Sequence, residues 1–333
     1  MRKNNTIVIA EAGVNHNGKL NVAKKLIYAA KSAGADIVKF QTYLTEELIM
    51  KSGKKADYQK KHKPKESQYN MLKNLELSFK EFKLLYGICF KKKIEFLSTG
   101  FDIKSIKFLN SINQKRFKIP SGEITNYPLL RFIGRQKKEI ILSTGMSNLK
   151  EIELALNVLT KFGTPLRKIT VLHCNSAYPT YAEDVNLKAM ITIKNKFGVD
   201  IGYSDHTSGI EAPVIAVSLG AKIIEKHLTL NKKSIGPDHA ASIEPNIFKE
   251  MVLAIRNTER YLGKEKKILT KSESKNKDIV RKSIVALKNI TKGESLSEAN
   301  LTTKRPGKGI SPMQWNQIIG KKARKNYKKN DFI

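Results

Sequence analysis

Cysteine is scarce: Cys89 and Cys174 are the two in 333 residues. That excludes a disulfide scaffold and suits a reducing, cytoplasmic setting. Aromatic residues make up 8% and tryptophan occurs once. No stretch approaches 18 uninterrupted apolar residues, so no membrane-spanning helix and no membrane partner are expected. Arg2 and Lys3 before Thr6-Ile7-Val8-Ile9-Ala10 have the outline of a short signal peptide. Glu11 ends that apolar run too early for a signal core, and a first strand is the better reading.

Acidic residues are also few: 30 Asp and Glu against 62 Lys and Arg, a formal charge of +32. Such a balance points to nucleic acid, an anionic membrane surface or an acidic substrate. The basic residues are 10 Arg and 52 Lys, spread along the chain. Readers of phosphates and base edges favour Arg. The Lys excess therefore also fits codon bias in an AT-rich genome. With no aromatic-rich RNA motif and no zinc finger, a nucleic-acid partner is not expected.

What is present is a repeated unit of strand, polar ending and helix. Eight short runs rich in Ile, Val, Leu or Phe read as strands: Thr6–Glu11, Ile37–Gln41, Ile94–Thr99, Phe117–Glu123, Ile140–Thr144, Thr170–Asn175, Asp200–Asp205 and Lys222–His227. They lack a clean polar alternation, as do strands buried on both faces of a parallel sheet. Helical patterns separate most of them, at Leu20–Ser32, Phe79–Lys91, Asn148–Lys161, Val185–Lys196 and Ile210–Leu219. Asn148 and Glu151 have capping-box spacing. Eight β-α units predict an α/β fold, a (β/α)8 TIM barrel. A doubly wound open sheet is the alternative. Gly13 and Gly18 have the wrong spacing for its nucleotide loop.

Residues 1–263 are assigned to the barrel, 264–278 to a polar linker and 279–333 to a small C-terminal domain. That last unit carries 13 Lys or Arg against 3 Asp or Glu. A long insertion, residues 42–78, follows strand two. It holds the charge runs Lys51-Ser52-Gly53-Lys54-Lys55 and Lys60-Lys61-His62-Lys63-Pro64-Lys65. A loop of that length is either functional or a solvated charge run.

Every strand ends in chemically able residues, and a barrel gathers those ends at one mouth. His206 and His227 end neighbouring strands and can share one divalent ion, or simply hydrogen-bond. Lys39 and Lys118 lie inside apolar runs, where a cation needs a partner. They are an anion clamp, a Schiff-base lysine, or partners of Glu11 or Glu123. Ser121, Ser143 and Ser204, beside glycines, offer donors to a phosphate. Asp238 and Glu123 can act as acid or base, bind sugar hydroxyls, or cap the chain. His173 is a further possible ligand, His16 is undecided, and Cys174 is assigned to core packing.

These motifs resemble one family. Ile9-Ala10-Glu11-Ala12-Gly13-Val14-Asn15-His16-Asn17-Gly18, Val38-Lys39-Phe40-Gln41-Thr42, Lys118-Ile119-Pro120-Ser121-Gly122-Glu123 and Gly202-Tyr203-Ser204-Asp205-His206 look like the sialic acid synthases. Glu225-Lys226-His227 and Gly236-Pro237-Asp238-His239 do too. Thr303-Lys304-Arg305-Pro306-Gly307 resembles the family's antifreeze-like (SAF) domain. The resemblance implies a metal-dependent condensation of phosphoenolpyruvate with an N-acylated mannosamine-type sugar and water. The products are a nonulosonic acid and phosphate. N-acetylmannosamine, giving N-acetylneuraminate, is the first choice. The alternative is 2,4-diacetamido-2,4,6-trideoxymannose, giving N,N'-diacetyllegionaminate. A Schiff-base aldolase or lyase and a sugar- or nucleic-acid-binding protein are the remoter readings.

Carried over, His206 and His227 hold Mn2+ or Mg2+. Lys39, Thr99, Lys118, Ser121, Ser143 and Ser204 cradle phosphoenolpyruvate, with Asn175 or Ser176 as a further contact. Gln41, Tyr178 and Asp238 meet the sugar, and Glu11 and Glu123 position water or move protons. The family pattern is a homodimer with swapped SAF domains, in which Arg305 reaches the partner's site.

Overall fold

The computed structural model describes residues 5–55 and 66–333. The Lys60–Lys65 run therefore lies outside the described residues. The chain divides into two compact units, Met1–Gly263 and Lys264–Ile333.

In the first unit the strands are β1 (Ile7–Gly13), β2 (Ile37–Thr42), β3 (Glu95–Gly100), β4 (Arg116–Ile119), β5 (Glu139–Ser143), β6 (Ile169–Cys174), β7 (Asp200–Asp205) and β8 (Ile223–His227). They pair in sequence order, all parallel, and β8 closes on β1. The helices are α1 (Leu20–Ser32), α2 (Thr45–Leu48), α3 (Gln68–Leu75), α4 (Phe79–Lys92), α5 (Ile103–Ser111), α6 (Tyr127–Gly134), α7 (Leu149–Lys161), α8 (Ala182–Val185), α9 (Ala189–Phe197), α10 (Glu211–Ser218) and α11 (Pro245–Leu262). The expected (β/α)8 architecture is present.

Two local expectations differ. Strand four stops at Ile119, and Ser121–Glu123 form a 3-10 turn. Pro120 has no N–H to continue a ladder. The helix expected over Val185–Lys196 is split by Asn186, whose φ of 43° is left-handed.

Side chains alternate across each strand. Outward residues pack under the helices, as Val8, Val38, Phe96, Phe117 and Ile224 do. Inward residues build the barrel floor from Ile9, Ile37, Leu97, Ile141, Leu172 and Ile223. One inward step further along the chain direction, the same strands present Glu11, Lys39, Thr99, Ser143, Cys174 and Glu225. The period that makes the apolar floor thus also aims the polar layer above it.

The second unit holds α12 (Lys271–Val280), β9 (Ser283–Ala286), β10 (Leu301–Lys304) and α13 (Trp315–Ile318). The polar segment read as a linker thus carries most of a helix. Thr270 and Glu273 cap it reciprocally, a signal its composition obscures. β9 and β10 are antiparallel over a small core of Ile284, Ala286, Ile290, Leu296, Leu301, Ile318, Ala323 and Tyr327. Arg305 directly follows β10 in this unit.

Candidate active site

A cavity of about 500 Å3 opens at the C-terminal ends of the barrel strands. Its lining includes Glu11, Lys39, Gln41, Thr99, Lys118, Ser121, Ser143, Ser176, Tyr178, Ser204, His206, His227 and Asp238. A larger cavity, of about 940 Å3, lies beside it along α7 and α9. Its lining carries no carboxylate, so the chemistry belongs to the smaller one.

At the base of this cavity four charged side chains are buried together. Lys39 Nζ lies 2.7 Å from Glu11 and 3.7 Å from Glu225. Lys118 Nζ lies 3.3 Å from Glu225. Lys39 also donates to Thr99 Oγ1 at 3.2 Å, and Ser204 Oγ to Glu225 at 3.1 Å. Burial pushes the Glu11 carboxyl up to about 7, although Lys39 opposes it. Glu225 is held down at about 2: burial works against its charge, but Lys118 and Lys39 outweigh it. Burial lowers Lys118, with Glu225 as its main support. The two carboxyls thus play different parts, one fixed as an anion and one able to trade a proton near neutrality.

Gly13 shows how tightly the next layer converges. Its φ is +49°, at an irregularity in the β1 ladder. A Cβ there would lie 3.2 Å from Glu11 Oε1, 3.4 Å from Gln41 Nε2 and 3.6 Å from Asp238 Oδ2. Gln41 Nε2 donates to Glu11 Oε1 at 3.3 Å. Burial raises Asp238 to about 6. Asp238 is held from behind: Asn15 Nδ2 donates to Ser242 Oγ at 2.8 Å, which donates to the Asp238 carbonyl at 2.7 Å. Asn15 thereby gains a structural part in the first loop. His16 accepts from the Gly18 N–H at 3.1 Å, and burial lowers it to about 4.

His206 and His227 meet with ring centroids 5.5 Å apart, and the Tyr178 ring lies 4.1 Å from His206. A buried Lys226–Asp205 ion pair joins the ends of β7 and β8 behind them. Burial pushes both imidazoles down, His227 most, so both are neutral and present lone pairs. His206 Nδ1 lies 2.5 Å from the Asn175 carbonyl. That contact puts the proton on Nδ1 and leaves Nε2 for a ligand. His227 Nδ1 is buried with no hydrogen-bond partner among the described residues. Among the described residues no group of three or more His, Cys, Asp or Glu is placed to hold a metal. His206 Nε2 and His227 Nδ1 are the two donors that would hold a divalent ion here.

Three residues of the first unit expected at the site, Glu123, Asn175 and His173, lie outside this lining. Glu123 does not line the cavity; its carboxylate accepts from Asn126 Nδ2 at 2.6 Å. Asn175 turns its side chain toward α8 and its own loop, donating to the Asp184 carbonyl and accepting from the Ala177 N–H. Ser176 lines the cavity instead. Arg305 belongs to the second unit. His173 Nε2 pairs with the Val185 carbonyl at 2.8 Å and is not in the lining. Cys174, assigned to packing, is buried but also lines the cavity, 3.2 Å from Ser121 Oγ. Ser121 Oγ accepts from the Gly145 N–H at 2.9 Å. The Glu225-Lys226-His227 motif by itself assigns Glu225 no role. Its signal was the two-residue spacing from His227, which puts both on one face.

The NeuB family model matches residues 26–267, and the SAF domain model matches residues 281–333. The chain belongs to the NeuB family. A Campylobacter jejuni protein named N,N'-diacetyllegionaminic acid synthase is 53% identical over 98% of this chain and 98% of its own. A Legionella pneumophila protein of the same name is 47% identical over 96% and 90%. The crystal structure of N-acetylneuraminic acid synthetase from Leptospira borgpetersenii, in complex with citrate, has a TM-score of 0.73. It is 37% identical, over 82% of this chain and 90% of that one.

Proposed function

We propose that this chain is a nonulosonic acid synthase that joins phosphoenolpyruvate to 2,4-diacetamido-2,4,6-trideoxymannose, giving N,N'-diacetyllegionaminate and phosphate. The buried Glu11–Lys39–Glu225–Lys118 layer under two neutral imidazoles carries the reading. The names of the 53% and 47% relatives favour the diacetamido sugar. N-acetylmannosamine is the second acceptor, supported by the 37% relative.

Lys39 and Lys118 bind the phosphate and carboxylate of phosphoenolpyruvate, with the hydroxyls of Thr99, Ser121, Ser143, Ser176 and Ser204 around them. With Glu11 protonated, two lysines face one fixed carboxylate, and the site attracts an anion. Gln41, Tyr178 and Asp238 orient the open-chain sugar, aldehyde carbon toward C3 of phosphoenolpyruvate. His206 and His227 would hold Mn2+ or Mg2+, which would supply Lewis-acid character at the aldehyde end of the sugar.

The C3–C1 bond forms as the enol double bond opens, and the aldehyde oxygen takes the proton that Glu11 carries. Water adds at C2 and gives a proton to Glu11, whose position near 7 suits that exchange. The bond from C2 to the phosphate oxygen then breaks, the C2 hydroxyl proton passes to the leaving phosphate, and C2 becomes the ketone. Glu123 acts from outside this set, through Asn126 and the turn that presents Ser121. The working form is a cytoplasmic homodimer in which Arg305 of each chain serves the other's site.

Phosphate release from phosphoenolpyruvate tests the reading, with either sugar, in Mn2+ and again in EDTA. Metal-dependent release is expected. A covalent borohydride adduct at Lys39 or Lys118 in place of phosphate release would establish the Schiff-base alternative.

A further inference from the structure

We infer that the apolar rim of the cavity, Leu72 above all, selects the deoxygenated end of the acceptor sugar. The inference rests on the synthase reading, in which C1 of the open-chain sugar lies at the histidines.

The cavity has two chemistries. Its base is charged, as described. Its outer lining includes Val14, Met71, Leu72, Leu75 and Phe101. Three of these come from α3, inside the long insertion after β2. Gln68, Met71, Leu72 and Leu75 follow one another at i, i+3, i+4 and i+7, a single helix face.

The rim is built rather than draped. Met71 and Leu75 pack with Val14 and Tyr43 in a small core of their own. Tyr43 Oη donates to the Leu72 carbonyl at 3.1 Å, and Ser67 caps α3 by accepting from the Asn70 N–H. Gly18 presses close enough that a Cβ there would lie 2.3 Å from the Asn74 carbonyl oxygen. This apolar surface is therefore a fixed wall facing the substrate.

With C1 at the histidines, the sugar carbons run toward the mouth and C6 arrives at this wall. The trideoxy sugar ends in a methyl group there, while N-acetylmannosamine ends in a hydroxymethyl. A methyl against Leu72 loses no hydrogen bond on leaving water. A hydroxyl in the same place loses its water partners and gains none from Leu72 or Met71. Gln68, the polar member of the stripe, offers its amide to the C4 acetamido group. One apolar contact of this kind discriminates by roughly 10–100-fold.

The test measures kcat/KM for both sugars with the full chain at saturating Mn2+, in the natural protein, Leu72→Gln and Leu72→Met. The natural protein should prefer the trideoxy sugar roughly 10–100-fold. Leu72→Gln should cut that ratio about tenfold through the sugar KM, leaving the phosphoenolpyruvate KM unchanged, and Leu72→Met should restore it. If Leu72→Gln fails to fold, the near-isosteric Val14→Thr carries the same comparison. A preserved ratio in the folded polar variant refutes the rim as the selector and leaves the synthase reading standing. A natural preference for N-acetylmannosamine also overturns the inference. No phosphate release with either sugar removes the synthase reading and this inference together.

Discussion

Glu225 gives the sharpest quantitative expectation. Replacing it by Gln keeps the shape of the side chain and removes the charge that faces Lys118 at 3.3 Å and Lys39 at 3.7 Å. The carboxyl sits at about 2 in the fold against an ordinary 4.5. At 1.36 kcal/mol per pKa unit, that gap corresponds to about 3 kcal/mol. Removing one partner of a buried ion pair costs a similar ~3–5 kcal/mol. Proton release by Lys118, which burial already lowers, limits the loss.

The sign follows from linkage. A depressed carboxyl stabilises the fold fully above its unfolded pKa, and that contribution fades as pH falls from 4.5 toward 2. Urea unfolding of the natural protein and Glu225→Gln should therefore differ by about 3 kcal/mol at pH 7. The difference should shrink steadily below pH 4.5. A difference under about 1 kcal/mol at pH 7, the range of a surface pair, would refute the buried cluster. So would a difference that stays constant down to pH 3.

Two further outcomes concern Asp238. Ser242→Ala cuts the relay from Asn15 to the Asp238 carbonyl, so the sugar KM should rise about fivefold, the worth of one hydrogen bond. The phosphoenolpyruvate KM should not move, and steady-state kinetics separates the two. Burial raises Asp238 to about 6, so the carboxylate form that accepts the sugar hydroxyls is lost below that pH. The kcat/KM for the sugar should climb through pH 6 and level off, and Asp238→Asn should abolish that limb of the pH profile.

Much of this molecule was legible in one dimension. Short apolar runs at regular spacing, each ending in polar residues, determine a parallel barrel with a reactive mouth. Lysines embedded in such runs announce buried cations. The period of two places Glu11, Lys39 and His227 on inward positions, because side chains must alternate across a strand.

Only the closed tertiary structure decided which of those groups meet. Glu11 comes into register with His227, 216 positions later, because β1 pairs with β8. That closure puts Glu225 between Lys39 and Lys118 and gives it a part that spacing could not assign. Loops obey no such period. The turn after Pro120 leaves Glu123 on Asn126, while α8 and Asn175's own loop take up the Asn175 side chain and leave Ser176 in the lining. The apolar rim was least visible. Its stripe lies on an eight-residue helix within a polar insertion, and what it faces is set by packing against Val14 and Tyr43. Periodicity determines which face of an element is apolar. The fold determines what that face touches, because contacts between distant segments depend on how the whole barrel closes.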